Sequence, residues 1–327
     1  MKIEVAEKKN ILTDAIATAG GVTFKVQALD QLQSVLRLIR VKHWVKNLFL
    51  FIPSFFAGHL FNTSELLRVG IGALAFSLVA SGVYVINDLR DRKVDKHHPR
   101  KKFRPLASGE VRPITALVLI SLLIPLGLAV AAWMNVTFLC LLAGYLVLNL
   151  GYSFGLKNIP ILDLFIVALG FLIRVYSGGV IAGLEITHWL SLMILLLALF
   201  LIVAKRRDDL LVTKSNGKNG KNGNPVIRKS SARYNLVYIN SCVTLLSAVM
   251  VVAYIMYSVS PEVTQRFESD YLFITSVFVI AGIMRYLQIV FVERNSGSPT
   301  RIFIRDKFIL FTLVGWIITF YLIIYAT

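Results

Sequence analysis

The stretch Asn87-Asp88-Leu89-Arg90-Asp91-Arg92-Lys93-Val94-Asp95 sits where a long apolar run meets a very basic loop. Asp88, Asp91 and Asp95 are three and four residues apart, so on a helix they form one stripe of carboxylates. Three like charges on one face repel, and something must offset them. A divalent cation holding a phosphorylated substrate is the natural candidate. A carboxylate stripe where an apolar segment ends points to an enzyme acting on a phosphorylated lipid or its donor.

The rest of the chain fixes the setting. Of its 327 residues, 56% are hydrophobic, and the mean hydropathy is +0.70. Apolar runs near the length that crosses a bilayer recur at about 45–61, 66–86, 114–134, 136–155, 159–183, 188–204, 235–259, 271–292 and 306–325. The first is short and contains Pro53. These runs predict an all-α, polytopic membrane protein, a bundle of nine transmembrane helices with a polar cavity facing the cytoplasm. Two parts are expected. Residues 1–43 form a cytoplasmic N-terminal segment and residues 44–327 the catalytic transmembrane domain. Within the former, residues 28–43 place Leu29, Leu32, Leu36 and Ile39 at helical spacing, which reads as an amphipathic helix on the membrane interface or as an extension of the first span.

The net charge of +17 is unevenly placed. The loops at 87–113 and 205–234 carry nine Lys and Arg each, whereas the alternate loops are nearly free of them, apart from Arg68 and Arg266. Basic residues mark cytoplasmic loops, so the N-terminus is expected inside and the C-terminus outside. This topology accounts for the basic pI of about 10.0 and leaves nucleic acid out as a partner, with membrane lipid in its place. Cys140 and Cys242 both fall inside apolar runs and make neither a disulfide framework nor a metal spacing. Residues 1–30 lack the apolar core of a secretory signal, which leaves the first span as the insertion signal. The Gly/Asn-rich stretch Lys214–Pro225 reads as a cytoplasmic tether.

On this topology, charged and polar groups gather at cytoplasmic helix ends: Lys46 and Asn47, the Asp stripe, Tyr152 and Lys157, Asp163, and Lys205, Arg206, Arg207, Asp208 and Asp209. Arg174 lies three turns beyond Asp163 on the same face, about 16 Å deeper. An ionisable group at that depth needs a partner. Two are open: an anionic head group in a cavity, or a neighbouring helix. Arg285 invites the second reading. Arg100, Lys101 and Arg104 come after the Asp stripe, either as a clamp on phosphate oxygens or as a lipid-facing loop. His97 and His98 have no carboxylate or Cys at ligand spacing and make no convincing zinc site.

The order Asn-Asp-x-x-Asp-x-x-x-Asp after the second span resembles the UbiA superfamily of intramembrane prenyltransferases. Three further stretches are similar to one branch, the decaprenyl-phosphate phosphoribosyltransferases. They are Arg40-Val41-Lys42-His43-Trp44-Val45-Lys46-Asn47, His98 to Gly109, and Tyr152 to Lys157 continuing through Asp163, Gly170, Arg174 and Gly178-Gly179. The branch implies transfer of a 5-phosphoribosyl group from 5-phosphoribosyl 1-diphosphate to a polyprenyl phosphate, releasing diphosphate. It also implies Mg2+, a bacterial cytoplasmic membrane, and a lipid-linked pentose product for a cell-envelope glycan. On that resemblance Asp88 and Asp91 bind Mg2+ across the diphosphate, with Asp95 and one of Asp208 or Asp209 completing the site. Asn87 orients the ribose or a ligand water. Arg100, Lys101, Arg104, Lys205, Arg206 and Arg207 hold the donor's 5-phosphate, and the lipid phosphate lies near Lys46, Lys157 or Arg174. Asn47, Tyr152 and Asp163 complete the expected substrate-binding set.

One departure is informative. Prenyl-transferring members carry a second carboxylate-rich motif, where this chain has Lys205-Arg206-Arg207-Asp208-Asp209. Cations placed first suit a donor with a phosphate outside its diphosphate. The alternatives are a prenyltransferase moving a polyprenyl group from its diphosphate to an aromatic acceptor, and a transporter or lipid-binding membrane protein. The nearly uncharged external half argues against transport.

Overall fold

The computed structural model describes residues 31–59, 61–97, 101–218, 234–293, 302 and 305–325. Arg100 and His98, and residues 28–30 of the expected interfacial helix, lie outside them, as does most of the expected tether. No strand occurs among the described residues. The main helices are α1 (Thr63–Asp95), α2 (Pro113–Met134), α3 (Val136–Phe154), α4 (Leu162–Ala182), α5 (His188–Lys218), α6 (Leu236–Ser258), α7 (Ser276–Phe291) and α8 (Lys307–Tyr325).

Among the described residues, seven helical stretches are long and apolar enough to cross a membrane: α1 to α6, and Tyr271–Phe291, which contains α7. The nine expected spans are not reached by that measure. In α8 the qualifying stretch, Lys307–Ile323, is shorter. The expected first span winds as a 3-10 helix over Val41–Phe51 and then as a short α-helix, Ile52–Phe56, with Pro53 in its first turn. A 3-10 helix rises about 2.0 Å per residue, so this segment has a contour near 30 Å despite its few residues. Side chains that water would not tolerate in such number lie exposed along α2, among them Ile114, Leu117, Val118, Leu122 and Trp133. That surface belongs against lipid, and the protein is an integral membrane protein.

Helix α1 is 33 residues long, about 50 Å by helix rise, well beyond the roughly 30 Å hydrocarbon layer. Its polar last turns, which carry Asp88, Asp91 and Asp95, therefore have length to emerge. Helix α5, with 31 residues, does the same for Lys205, Arg206, Arg207, Asp208 and Asp209.

The chain divides into two compact units. One comprises Met1–Val45 and Leu78–Pro125, the other Lys46–Ser77 and Leu126–Thr327. The first unit thus joins Leu78–Pro125 to the N-terminal segment. In the first unit, residues 31–38 are helical. Leu38 packs with Val85, Leu106, Val111 and Ala116, while Leu32 and Leu36 stay exposed. Arg37 and Ser34 donate to Glu110 Oε2, and Trp44 Nε1 donates to Ser81 Oγ (3.0 Å), which in turn donates to the Ile39 carbonyl (2.9 Å).

In the second unit, α4, α5, α6, α7 and α8 share one apolar core. An aromatic group of Phe55, Phe56, Tyr257, Trp316 and Phe320 seats the Ile52–Phe56 helix. Arg285 pairs with Asp306 (2.8 Å) and Glu293 (2.7 Å), in line with the structural reading of that arginine. The 3-10 segment meets α4 where Gly178 has no side chain. A Cβ there would collide with the Leu50 carbonyl oxygen and lie 2.7 Å from its carbon. Gly178→Ala should therefore cost about 1–3 kcal/mol through overpacking. Gly70→Ala, with nothing within 4 Å of the added carbon, should be neutral. Thermal melting of the two purified variants in detergent checks this, and equal melting points would refute the close approach.

Candidate functional site

The expected Asp stripe forms as an ordered cluster at the end of α1, within the first unit. Asp88 is 3% exposed and Asp95 2%, whereas Asp91 is half-buried. Buried carboxylates need partners that stay ionised, and arginines supply them. Arg40 Nη2 lies 2.5 Å from Asp88 Oδ1, and Arg104 Nη1 bridges Asp88 Oδ1 (2.9 Å) and Asp95 Oδ2 (2.8 Å). Lys101 Nζ is 3.8 Å from Asp95 Oδ1. Two of the cations expected as a phosphate clamp, Lys101 and Arg104, are thus at contact distance from the carboxylates. The short helix Pro105–Ser108, with Gly109 at φ 90° as its cap, presents Arg104 from its N-cap position.

No group of three or more His, Cys, Asp or Glu side chains gathers closely enough among the described residues to cage a metal. Mg2+ does not require one. It binds through one or two carboxylates, keeps several waters, and takes the rest from substrate phosphates. Asp88 and Asp91 lie on one helix face, three residues apart. Asp88 receives both arginines on Oδ1, and its Oδ2 accepts no hydrogen bond among the described residues. That leftover oxygen beside a second carboxylate fits Mg2+. Asp95, with both oxygens engaged, fits better as the group that holds Arg104. Asn87 is half-buried on the same helix.

The second unit holds a different kind of cluster. Asp163, fully buried in the first turn of α4, accepts from Arg206 Nη2 (2.5 Å) and from the Tyr234 hydroxyl (3.1 Å). Tyr234 also accepts the backbone N–H of Ile161 (2.5 Å), a β-branched residue held at φ 68°. Such a residue adopts that conformation only where its surroundings impose it. Burial first, then the neighbouring carboxylate, push the Tyr234 phenol up to about 12, so it stays a donor. Arg207 donates to Asn240 Oδ1 (2.8 Å) and the Val290 carbonyl (2.9 Å). Both arginines of this run expected to hold the donor's 5-phosphate are therefore buried and bonded to this unit's own helices. Lys205 is exposed, and Asp209, 3.9 Å from Arg206, is largely so.

Arg174 is 4% exposed and has neutral partners: Asn47 Oδ1 (2.8 Å), the Gly170 carbonyl (2.6 Å) and the Tyr145 hydroxyl (3.0 Å). Asn47 in turn donates to Ser77 Oγ (2.7 Å). The rings of Phe76 and Tyr145 stand 4.8 Å from the guanidinium carbon, with Phe171 at 5.5 Å. Arg174 thus lies in an aromatic, hydrogen-bonded enclosure, with no carboxylate partner among the described residues. Lys46 is 6.0 Å from the Phe171 ring; Tyr152 and Lys157 are half-buried where α3 ends. Sequence reasoning gave no role to Arg40, Tyr145, Tyr234 or Asn240. Arg40 and Tyr234 had a signal, since each lies in a polar run beside an apolar segment.

Breaking a buried ion pair by removing one partner leaves a charge stranded and costs about 3–5 kcal/mol. Asp163→Ala and Arg206→Ala should each lose stability on that scale, and the double variant should lose clearly less than the sum. Melting of the three variants in detergent tests this; additive losses would show that the pair is not coupled.

Residues 48–314 match the UbiA prenyltransferase family. The decaprenyl-phosphate phosphoribosyltransferase of Corynebacterium glutamicum is 30% identical over 298 residues, which cover 89% of this chain and 86% of that protein. The protein of the same name from Mycolicibacterium smegmatis is 30% identical over 86% of this chain and 90% of its own length. Among solved structures, a UbiA homolog from Archaeoglobus fulgidus bound to GPP and Mg2+ shares the fold, with a TM-score of 0.65 over 89% of this chain and 99% of that one, at 22% identity. The chain belongs to the UbiA prenyltransferase family.

Proposed function

We propose that this transferase moves a 5-phosphoribosyl group from 5-phosphoribosyl 1-diphosphate to a polyprenyl phosphate, with Mg2+ as cofactor. The observation that carries the reading is the α1 cluster, where carboxylates and guanidiniums lie within 3 Å of one another. Such a mixture suits a ligand that brings both phosphate oxygens and a divalent cation. The likeness to two phosphoribosyltransferases over most of the chain supports the donor.

Asp88 and Asp91 would hold the metal, which when bound neutralises charge on a leaving diphosphate. Asp95 keeps Arg104 in place beside them. Arg104 and Lys101, half-buried and not enclosed, are the cations for donor phosphate oxygens. In the reaction an oxygen of the lipid phosphate bonds to the anomeric carbon. The bond from that carbon to the diphosphate breaks, and the diphosphate leaves with the electron pair. The lipid phosphate is already an anion at neutral pH, so no general base is needed. Arg174, Arg206 and Arg207 hold helices in position and do not touch the donor.

Purified protein with Mg2+, polyprenyl phosphate and labelled phosphoribosyl diphosphate should yield a labelled lipid. Asp88→Asn and Asp91→Asn should each reduce turnover at least about a hundredfold, near 2.7 kcal/mol of barrier, with melting little changed for the half-buried Asp91 and lowered for Asp88, whose arginine pairs are broken. Product only from a prenyl diphosphate and an aromatic acceptor would overturn the donor assignment in favour of prenyl transfer.

The active face is proposed to lie on the cytoplasmic side of a bacterial inner membrane, with the N-terminus inside. The one-sided placement of Lys and Arg supports this. If both Val41–Phe56 and α8 cross, the total is odd. A C-terminal reporter that works only outside the cytoplasm should then be active, and a silent one would mean that one of the two segments fails to cross.

A further inference from the structure

Arg40 is the arginine at the α1 cluster whose backbone is also strained. Its φ is 56°, in the left-handed region that residues with a side chain avoid. The strain falls between the 31–38 helix and the 3-10 segment, where the chain is strapped to α1 on both sides. Ser81 Oγ donates to the Ile39 carbonyl and accepts from Trp44 Nε1. The turn carries the guanidinium over the Tyr84 ring, 4.8 Å from its centroid, and onto Asp88 Oδ1. Arg104 divides itself between Asp88 and Asp95; among the described residues Arg40 has Asp88 as its only carboxylate. The Arg40 side chain is 20% exposed against 3% for Asp88, so of the two partners the arginine is the one that solvent reaches.

We infer that Arg40 is a positioning residue for the metal: it pins Asp88 by Oδ1, leaves Oδ2 without a hydrogen bond among the described residues, and serves as the counter-charge that an arriving divalent cation must displace or share. The inference rests on the reading of Asp88 as a metal ligand. Two cations then compete for one carboxylate, which gives the role a signature that a plain structural tie lacks. Neutralising Arg40 removes a positive charge next to the metal position, so bare metal should bind more tightly. At the same time Asp88 loses the contact that orients it, so turnover at saturating metal should fall. A structural tie predicts loss in both.

The test is Mn2+ binding to the full chain in lipid nanodiscs, without substrate, read from the free-Mn2+ paramagnetic resonance signal. Arg40→Gln should bind Mn2+ roughly tenfold more tightly than wild type, equivalent to ~1.4 kcal/mol, with kcat reduced and donor KM changed less. Arg40→Lys keeps the charge and should bind Mn2+ as wild type does. Tyr84→Leu removes the ring that carries Arg40 and should shift Mn2+ affinity in the same direction as Arg40→Gln, by less, which keeps the test open if the glutamine variant does not fold. Unchanged or weaker Mn2+ binding in both Arg40→Gln and Tyr84→Leu overturns the inference. Asp88→Asn separates the two levels. If it loses Mn2+ binding, the metal reading stands whatever Arg40 does; if it binds as wild type does, or if no form binds, the metal reading fails first.

Discussion

A charge taken out of water must bring its partner with it, and that constraint organises both units of this protein. Asp163 has no exposure at all, and it is tolerable because Arg206 and Tyr234 reach its two oxygens. The three groups come from the start of α4, the polar part of α5 and the segment just before α6. The carboxylate therefore ties three helices together near their ends. Arg207 extends the same logic to α6 and α7 through Asn240 and the Val290 carbonyl. The positive φ at Ile161 is the local cost of aiming a backbone N–H at Tyr234 just before α4 begins.

The α1 cluster obeys the constraint differently. Its carboxylates Asp88 and Asp95 are nearly as buried as Asp163, but the cations serving them are a fifth to a third exposed. Cations that stay partly exposed can turn from a buried carboxylate to another anion. Those enclosed with their partner cannot. This contrast separates the residues proposed to act on the donor, Asp88, Asp91, Lys101 and Arg104, from Arg174, Arg206 and Arg207, which sequence pattern alone places in the same class.

What the sequence made legible is what depends on spacing along the chain. Apolar run length revealed an all-helical membrane protein, and three-and-four spacing revealed that Asp88, Asp91 and Asp95 share a face. What it concealed depends on distance across the chain. Arg206 and Asp163 are 43 residues apart, and Arg174 and Asn47 are 127 apart. A run of cations reads identically whether it awaits a phosphate or is already consumed by a carboxylate on another helix. Arg174 shows a further gap: a deep cation was expected to need a head group or a salt bridge, yet rings and neutral acceptors enclose it. The 3-10 winding of Val41–Phe51 was hidden because hydropathy counts residues and not their rise.

That winding has a metrical consequence. Trp44 and Asn47 are three residues apart on the 3-10 segment, and their partners Ser81 and Ser77 are four apart on α1. Three steps of about 2.0 Å and four steps of about 1.5 Å both come to about 6 Å. Trp44 meets Ser81 within the first unit and Asn47 meets Ser77 within the second, so a step of three on the 3-10 segment is answered by a step of four on α1. Wound as an α-helix, the segment would advance only about 4.5 Å between Trp44 and Asn47 and turn them away from a common line. The unusual pitch is thus the gauge that lets two short serine side chains receive two long ones, and a single inserted residue would put the rows out of step by about a third of a turn.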